Sequence, residues 1–222
     1  MTLTRVVGKG RTAAMAAGEL ARMRAEYAMC AVDVGTGDAH FAYHLATKHP
    51  DWLVLGLDAI DAPMGEIAHR AARKPARGGR PNLVLVRAAI ETPPAELAQI
   101  ADEVDVLLPW GALLEGIVRA RAVVVDGIAA LARPGARVRI TLNGEIWLDS
   151  TPARYEDLPV PTPEYVADVV EPEFRRAGVD LEPARYLSAT EAKSLPTTWA
   201  RRLGHGRPHP RFVHIEGVRR GS

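Results

Sequence analysis

The 222 residues predict an α/β fold: a seven-stranded, mostly parallel sheet with helices on both faces and a β-hairpin at the N-terminus. Three observations carry this reading. Short apolar runs alternate with helix-period stretches along most of the chain, as expected of strands buried on both faces. The first of these runs ends in a glycine loop, Asp33-Val34-Gly35-Thr36-Gly37-Asp38, that opens into a helix. The composition is that of a folded domain, 47% hydrophobic and 25% charged, which excludes disordered and fibrous classes. A chain of this length buries about 70% of its unfolded surface and needs no disulfide or metal to fold. The single cysteine, Cys30, excludes an intramolecular disulfide and a multi-Cys zinc site. No apolar run approaches the ~18 residues that span a bilayer, and Met1 to Thr12 lacks the apolar core of a signal peptide. The expectation is one domain, residues 1–222, cytoplasmic and monomeric, with no membrane or DNA partner.

The elements follow in order. Val6 to Thr12 reads as a hairpin turning at its glycines, and Ala13 to Tyr27 as a helix, so that residues 1–28 form an N-terminal hairpin and helix. Met29 to Val34 is the first parallel strand. Phe41 to Lys48 is a helix stopped by His49-Pro50, and Trp52 to Leu57 is the second strand. Ala62 to Lys74 is a helix stopped by Pro75, followed by the loop Ala76 to Pro81. Leu83 to Val86 and Val104 to Leu108 are the third and fourth strands. Leu113 to Ala132 is helical with a break near Arg119-Ala120, and Ala136 to Leu142 is the fifth strand. Residues 143–163, with Pro152, Pro159, Pro161 and Pro163, read as a long linker between strands five and six, a length that is often functional. Tyr165 to Ala177 is a helix, Leu181 to Leu187 the sixth strand, Thr197 to Leu203 a short helix, and Phe212 to Val218 the seventh strand.

Net charge is only +1, but it is unevenly spread. From Ile67 to Ile90 there are six bases (Arg70, Arg73, Lys74, Arg77, Arg80 and Arg87) and no acid. From Ala192 to Ile215 there are five more (Lys193, Arg201, Arg202, Arg207 and Arg211), again with no acid. Two basic stretches far apart in sequence can form one anion-binding face, or can be no more than solvated surface. Residues 143–173 are acidic, with Arg154 the only base.

Chemistry concentrates at strand ends. A glycine loop after the first strand of such a sheet lets the backbone approach a ligand closely. A dinucleotide fingerprint would want a third glycine where His40 stands, and Asp33 and Asp38 would repel a pyrophosphate. Acids there suit a ligand that is cationic and lacks phosphate. S-adenosylmethionine, with its sulfonium, ammonium and ribose hydroxyls, fits. Asp58 ends the second strand, where a carboxylate accepts from ribose hydroxyls, and Glu91 follows the third, near an adenine edge. The cosubstrate set is therefore Asp33, Gly35, Thr36, Gly37, Asp38, Asp58 and Glu91.

Three further stretches join the glycine loop: Arg73-Lys74-Pro75-Ala76-Arg77-Gly78-Gly79, Leu108-Pro109-Trp110-Gly111 and Thr197-Thr198-Trp199-Ala200-Arg201-Arg202-Leu203. In this order the chain resembles the aminoglycoside-resistance 16S rRNA (adenine-N1) methyltransferases of the Kam/Npm type. The resemblance implies a class I, Rossmann-like methyltransferase that modifies N1 of a decoding-site adenosine on the assembled 30S subunit and converts S-adenosylmethionine to S-adenosylhomocysteine. It implies Trp110 and Trp199 as the residues that stack on the target base, with Thr197 beside them. It implies Arg70, Arg73, Lys74, Arg77, Arg201, Arg202 and Arg207 as the rRNA contacts. The family loop usually carries glycine at the position of Ala39, so the methyl group there is expected to crowd the methionine end of the cosubstrate.

The chemistry implied is mainly positional. The Watson–Crick edge of a paired adenine is hidden, so the base must be extruded, at a cost of a few kcal/mol. Stacking on an aromatic side chain returns about 1–3 kcal/mol per base. Adenine N1 carries an unshared pair at neutral pH, so neither a Ser/His/Asp triad nor a metal is expected. His40 and His44, at i and i+4, read as a solvated helix face, since no Glu follows in the metal-binding pattern. Two other classes stay open at this point: a small-molecule methyltransferase of the same fold, and a ribosome-binding protein of weak turnover.

Overall fold

A computed structural model describes residues 3–147, 151–195 and 211–221. Its strands are β1 (Thr4–Gly8), β2 (Arg11–Ala14), β3 (Met29–Val34), β4 (Trp52–Asp58), β5 (Leu83–Arg87), β6 (Ala101–Leu107), β7 (Ala132–Asn143), β8 (Val179–Leu181), β9 (Arg185–Tyr186) and β10 (Phe212–Arg219). They form one sheet in the order β2-β1-β5-β4-β3-β6-β7-β10-β8, with β9 paired to β10. β5, β4, β3, β6 and β7 run parallel, β10 is antiparallel to β7, and β1 lies antiparallel to β5. The strand order reverses between β3 and β6, the switch point at which such sheets bind ligands.

Period-2 alternation in the strands sorts the core. Cys30, Val32 and Val34, Leu53, Leu55 and Leu57, and Val104 and Val106 point to one face. There they pack on α4 (Gly111–Val118), α5 (Ala122–Leu131) and Phe174 of α7 (Glu171–Arg176). Ala31, Val54, Leu83 and Leu85 point the other way, under α2 (His40–Lys48) and α3 (Gly65–Ala71). On β6 and β7 two buried or half-buried acids are matched across the strands: Arg139 donates to Asp105 at 2.8 and 3.1 Å and to Glu103 at 2.6 Å. Cys30 is buried, and burial pushes its thiol up to about 12, so it is inert.

Several expectations need correction. Among the described residues the sheet has ten strands, because the hairpin joins it and the sixth strand is split. Glu182 and Pro183 divide the expected 181–187 strand into β8 and β9, since proline offers no ladder N–H. The helix expected from Ala13 starts only at α1 (Glu19–Ala25). Ala13 and Ala14 pair instead with Arg5 and Thr4, and Gly18 turns left-handed at φ 70° before Glu19. The 62–74 helix is a 3₁₀ turn, Ala62–Met64, then α3, then a second 3₁₀ turn, Pro75–Arg77, after Lys74 is held extended by the following proline. The long 113–132 helix does break, at Ala120 with φ 47°, into α4 and α5. The 165–177 helix runs as α6 (Pro163–Tyr165), a π-turn Val166–Val170, and α7. Pro172 cannot donate, and the widened turn accommodates the lost bond. A helix not expected, α8 (Ala189–Ser194), starts at a capping box made by Ser188 and Glu191. The helix expected over Thr197–Leu203 lies outside the described residues.

The linker is the largest surprise. Its described part carries 3₁₀ turns at Gly144–Trp147 and Ala153–Tyr155, and Ile146, Tyr155 and Leu158 are buried in the main core. The Trp147 indole N–H donates to the Leu158 carbonyl at 2.8 Å. Apolar residues spaced among the prolines fold this stretch back against α4.

Candidate cosubstrate and base-binding site

The β3–α2 loop is built by its glycines. Gly35 and Gly37 have φ 71° and 55°, and a Cβ on Gly35 would come within 2.5 Å of Leu113. The Thr36 hydroxyl donates to Asp33 Oδ2 at 2.5 Å, below the loop. Asp33 is 2% exposed. Burial pushes its carboxyl up to about 7 against the pull of the Thr36 hydroxyl, and the nearby Asp105, Asp58 and Asp38 carboxylates push the same way. Gly56, on β4, leaves the room Thr36 needs, since a Cβ there would sit 2.9 Å from its hydroxyl.

Asp58 locks the loop to the next strand: one carboxylate oxygen accepts the Gly37 N–H at 3.0 Å and the other the Ile60 N–H at 2.9 Å. Asp33, Gly35, Thr36, Gly37, Asp38, Asp58 and Glu91 all line one cavity of about 590 Å³, within the usual range for small-ligand sites. All seven residues expected around the cosubstrate thus meet at the C-terminal ends of β3, β4 and β5. Apolar lining comes from Ile60, Ala88, Ala89, Ile90 and Leu113. Among the described residues four acids stand in the wall against His40 and Arg154, so the cavity suits a cationic ligand with an apolar ring and hydroxyls. S-adenosylmethionine fits that chemistry.

Ala39 corrects the expectation of crowding. It is fully buried, packs with Ala42, Val54 and Ile67, and is not in the cavity wall. Its methyl group points into the core beneath α2; the only cost is its left-handed backbone, φ 60°.

Trp110 closes the cavity on the β6 side and is 39% exposed. The trace that carries it is unusual. Leu108, though followed by proline, has φ 51°, and Gly111 has φ 61°. Both ends are tied: the Leu108 N–H donates to the Thr141 carbonyl at 2.9 Å, and the Gly111 N–H donates to the Tyr155 hydroxyl at 2.7 Å. The Tyr155 ring lies 5.8 Å from the Trp110 ring and 6.4 Å from that of Trp147. Arg154, paired with Glu115, also reaches the cavity wall. Sequence reading missed both Arg154 and Tyr155; the lone base in an acidic stretch was the available signal.

The expected rRNA contacts divide in two. Arg70, Arg73, Lys74 and Arg77 are exposed. Arg70 lies over the Tyr43 ring at 4.6 Å, and the Tyr43 hydroxyl donates to the Gly78 carbonyl at 2.7 Å. The loop closes on itself, with the Gly79 N–H on the Lys74 carbonyl at 3.1 Å, leaving no room for a side chain at Gly79. This fixed turn follows α3, whose lead-in residue Pro63 lines the cavity. Thr197, Trp199, Arg201, Arg202 and Arg207 lie outside the described residues.

With this geometry in hand, comparison with known proteins is decisive. A family model described as NpmA, 16S rRNA (adenine(1408)-N(1))-methyltransferase, matches residues 4–218. The chain belongs to this family. Among family members, the 16S rRNA (adenine(1408)-N(1))-methyltransferase of Streptoalloteichus hindustanus is 39% identical over 205 residues, 92% of this chain and 94% of that protein. A single-residue variant of the enzyme from Catenulisporales acidiphilia, solved with cosubstrate SAM, superposes with a TM-score of 0.91 at 42% identity, covering 99% of this chain and 97% of that one. The 16S rRNA methyltransferase KamB gives a TM-score of 0.87 at 36% identity over 98% of this chain and 100% of its own. Membership in the A1408 family accounts for the cavity, the glycine loop and the Leu-Pro-Trp-Gly turn together.

Proposed function

We propose that this chain methylates N1 of the adenine its family is named for, in 16S rRNA of the assembled 30S subunit, and so confers resistance to aminoglycosides that bind there. The observation that carries the reading is the juxtaposition of the acid-lined cavity and the half-exposed Trp110 at one sheet end. When bound, S-adenosylmethionine supplies an electrophilic methyl group on its sulfonium. Asp33, Asp38, Asp58 and Glu91 hold its positive charge and hydroxyls, and Gly35 and Gly37 let it lie against backbone. Trp110 stacks on the extruded adenine, a task in which the family resemblance also enlists Trp199 and Thr197.

Adenine N1 already presents a lone pair, so the chain has no proton to remove before transfer. Its task is to hold N1 about 3–3.5 Å from the methyl carbon and in line with the carbon–sulfur bond. The methylated adenine is cationic until it loses a proton from N6, and an indole face tolerates that charge. Arg70, Arg73, Lys74 and Arg77, with Arg201, Arg202 and Arg207, hold the rRNA phosphates through charge-assisted bonds. Recognition of the folded subunit surface, rather than of a base sequence, restricts the site. Among the described residues no helix is long and apolar enough to cross a membrane.

The test is transfer of labelled methyl from S-adenosylmethionine to purified 30S subunits, with the modified base located by a reverse-transcription stop. Transfer to one decoding-site adenine, strongly slowed but still measurable in a single turnover in Trp110→Ala, is expected. Transfer to small molecules but not to 30S particles would overturn the reading, as would a protein that binds 30S particles without transfer in a single turnover. Expression should raise resistance to kanamycin and apramycin.

A further inference from the structure

Helix α4 begins at the rim of the cavity, yet the residue that caps it, Trp110, has no side chain able to accept a hydrogen bond from the first turn. The Gly111 N–H would be one of the orphan donors of a helix N-terminus. It is taken instead by the hydroxyl of Tyr155, 44 residues away, at 2.7 Å. Tyr155 is 2% exposed, so this bond is partly sheltered from water, and its ring lies 5.8 Å from the Trp110 ring and 6.4 Å from that of Trp147. The linker that delivers it is pinned by the Trp147 N–H on the Leu158 carbonyl. Across the turn, the Leu108 N–H is held by Thr141. The segment from Leu108 to Gly111, with two left-handed residues, is therefore fastened at both ends, and at the Trp110 end the linker supplies a fastening through Tyr155.

We propose that Tyr155 is a positioning residue: its hydroxyl caps α4 from a distance and its ring backs the Trp110 indole, so that the linker sets the plane on which the target base stacks. This rests on the reading of Trp110 as the stacking residue. A fixed stacking plane matters because a displacement of about 1 Å at a reacting centre costs up to about a hundredfold in rate. The acidic linker, on this view, belongs to the base-binding site even though its buried tyrosine never touches RNA.

The test is Tyr155→Phe in the full chain, which keeps the ring and deletes the hydroxyl. The expected result is a fall in kcat for 30S methylation of about five- to tenfold, the size of a lost sheltered hydrogen bond, with the S-adenosylmethionine Kd unchanged. In a Trp110→Ala background the same substitution should produce no additional loss in single-turnover rate, since its effect passes through the indole. An equal fractional loss in both backgrounds makes Tyr155 a merely structural residue and overturns the proposal. So does an unchanged rate in Tyr155→Phe. If Trp110→Ala itself methylates normally, the stacking reading fails first, and that outcome is told apart by the single variant alone. Should Tyr155→Phe not fold, Trp147→Phe, which removes the bond to Leu158, should lower kcat in the same direction with cosubstrate binding intact; no change there overturns the proposal too.

Discussion

At Ala39 a methyl group sits in a left-handed backbone at φ 60°, a conformation costing roughly 1–2 kcal/mol in any residue with a Cβ. The same methyl is fully buried in the cluster that includes Ala42 and Val54, worth about 0.8 kcal/mol. Ala39→Gly should therefore raise stability by no more than about 1 kcal/mol and leave cosubstrate affinity unchanged. Thermal denaturation and calorimetric titration check both halves; a marked gain in affinity would show that the methyl does reach the cosubstrate. Asp33 makes a different kind of statement. Burial raises its carboxyl to about 7, so from the ordinary carboxylate range up to about 7 the folded chain keeps a proton that the unfolded chain has lost. The contribution of this group to stability consequently falls as pH rises through that window and is level above it. A sulfonium favours the ionised form, so binding of S-adenosylmethionine at about pH 6 should release a proton, and affinity should rise towards a plateau above about pH 7. Titration in buffers of differing ionisation enthalpy counts that proton. Release that persists in Asp33→Asn would assign it to another group.

Elements hold the site through close backbone contacts. α5 passes so near the end of β5 that a Cβ on Gly127 would lie 1.8 Å from the carbonyl oxygen of Ile90, the residue before Glu91. Gly127→Ala is expected to cost about 1–3 kcal/mol of stability and, by displacing the Glu91 segment, to weaken cosubstrate binding as well. Loss of stability with full affinity would mean that the segment adjusts independently. The strands of this framework were legible in sequence because a strand buried on both faces reads as an apolar run: Met29–Val34 was bounded correctly at both ends. The acids Asp33, Asp58 and Glu91 were legible because strand ends in a parallel sheet converge. Tyr155 was not, since it lies in a proline-rich stretch with no periodicity to announce packing and its partner Gly111 is 44 residues earlier in the chain. Nor was the direction of the Ala39 side chain, which depends on a φ sign that a loop sequence does not disclose. α8 was signalled by Ser188 and Glu191 but is too short for its apolar pattern to register.

For the molecule as a whole, the proposed function predicts that charge layout governs its encounter with the 30S subunit. Binding to 30S subunits should weaken steeply with salt, with log K falling linearly in log salt concentration at about 0.7–0.9 per neutralised phosphate. Arg73→Glu should lower affinity at every salt concentration and reduce that slope by about one or more, while leaving cosubstrate binding intact. Filter binding across a salt series would measure it, and an unchanged slope would remove the Arg73–Gly79 turn from the interface. One more consequence lies at the far margin of the sheet. β5 is an apolar strand, Leu83-Val84-Leu85-Val86, and it would be outermost but for the hairpin, whose Arg5 pairs antiparallel with Val86. Bare, such a strand is a template on which other chains add. The hairpin thus acts as a built-in guard against self-association, and a chain trimmed to begin after Ala14 should pass from a single species to aggregates in sedimentation runs.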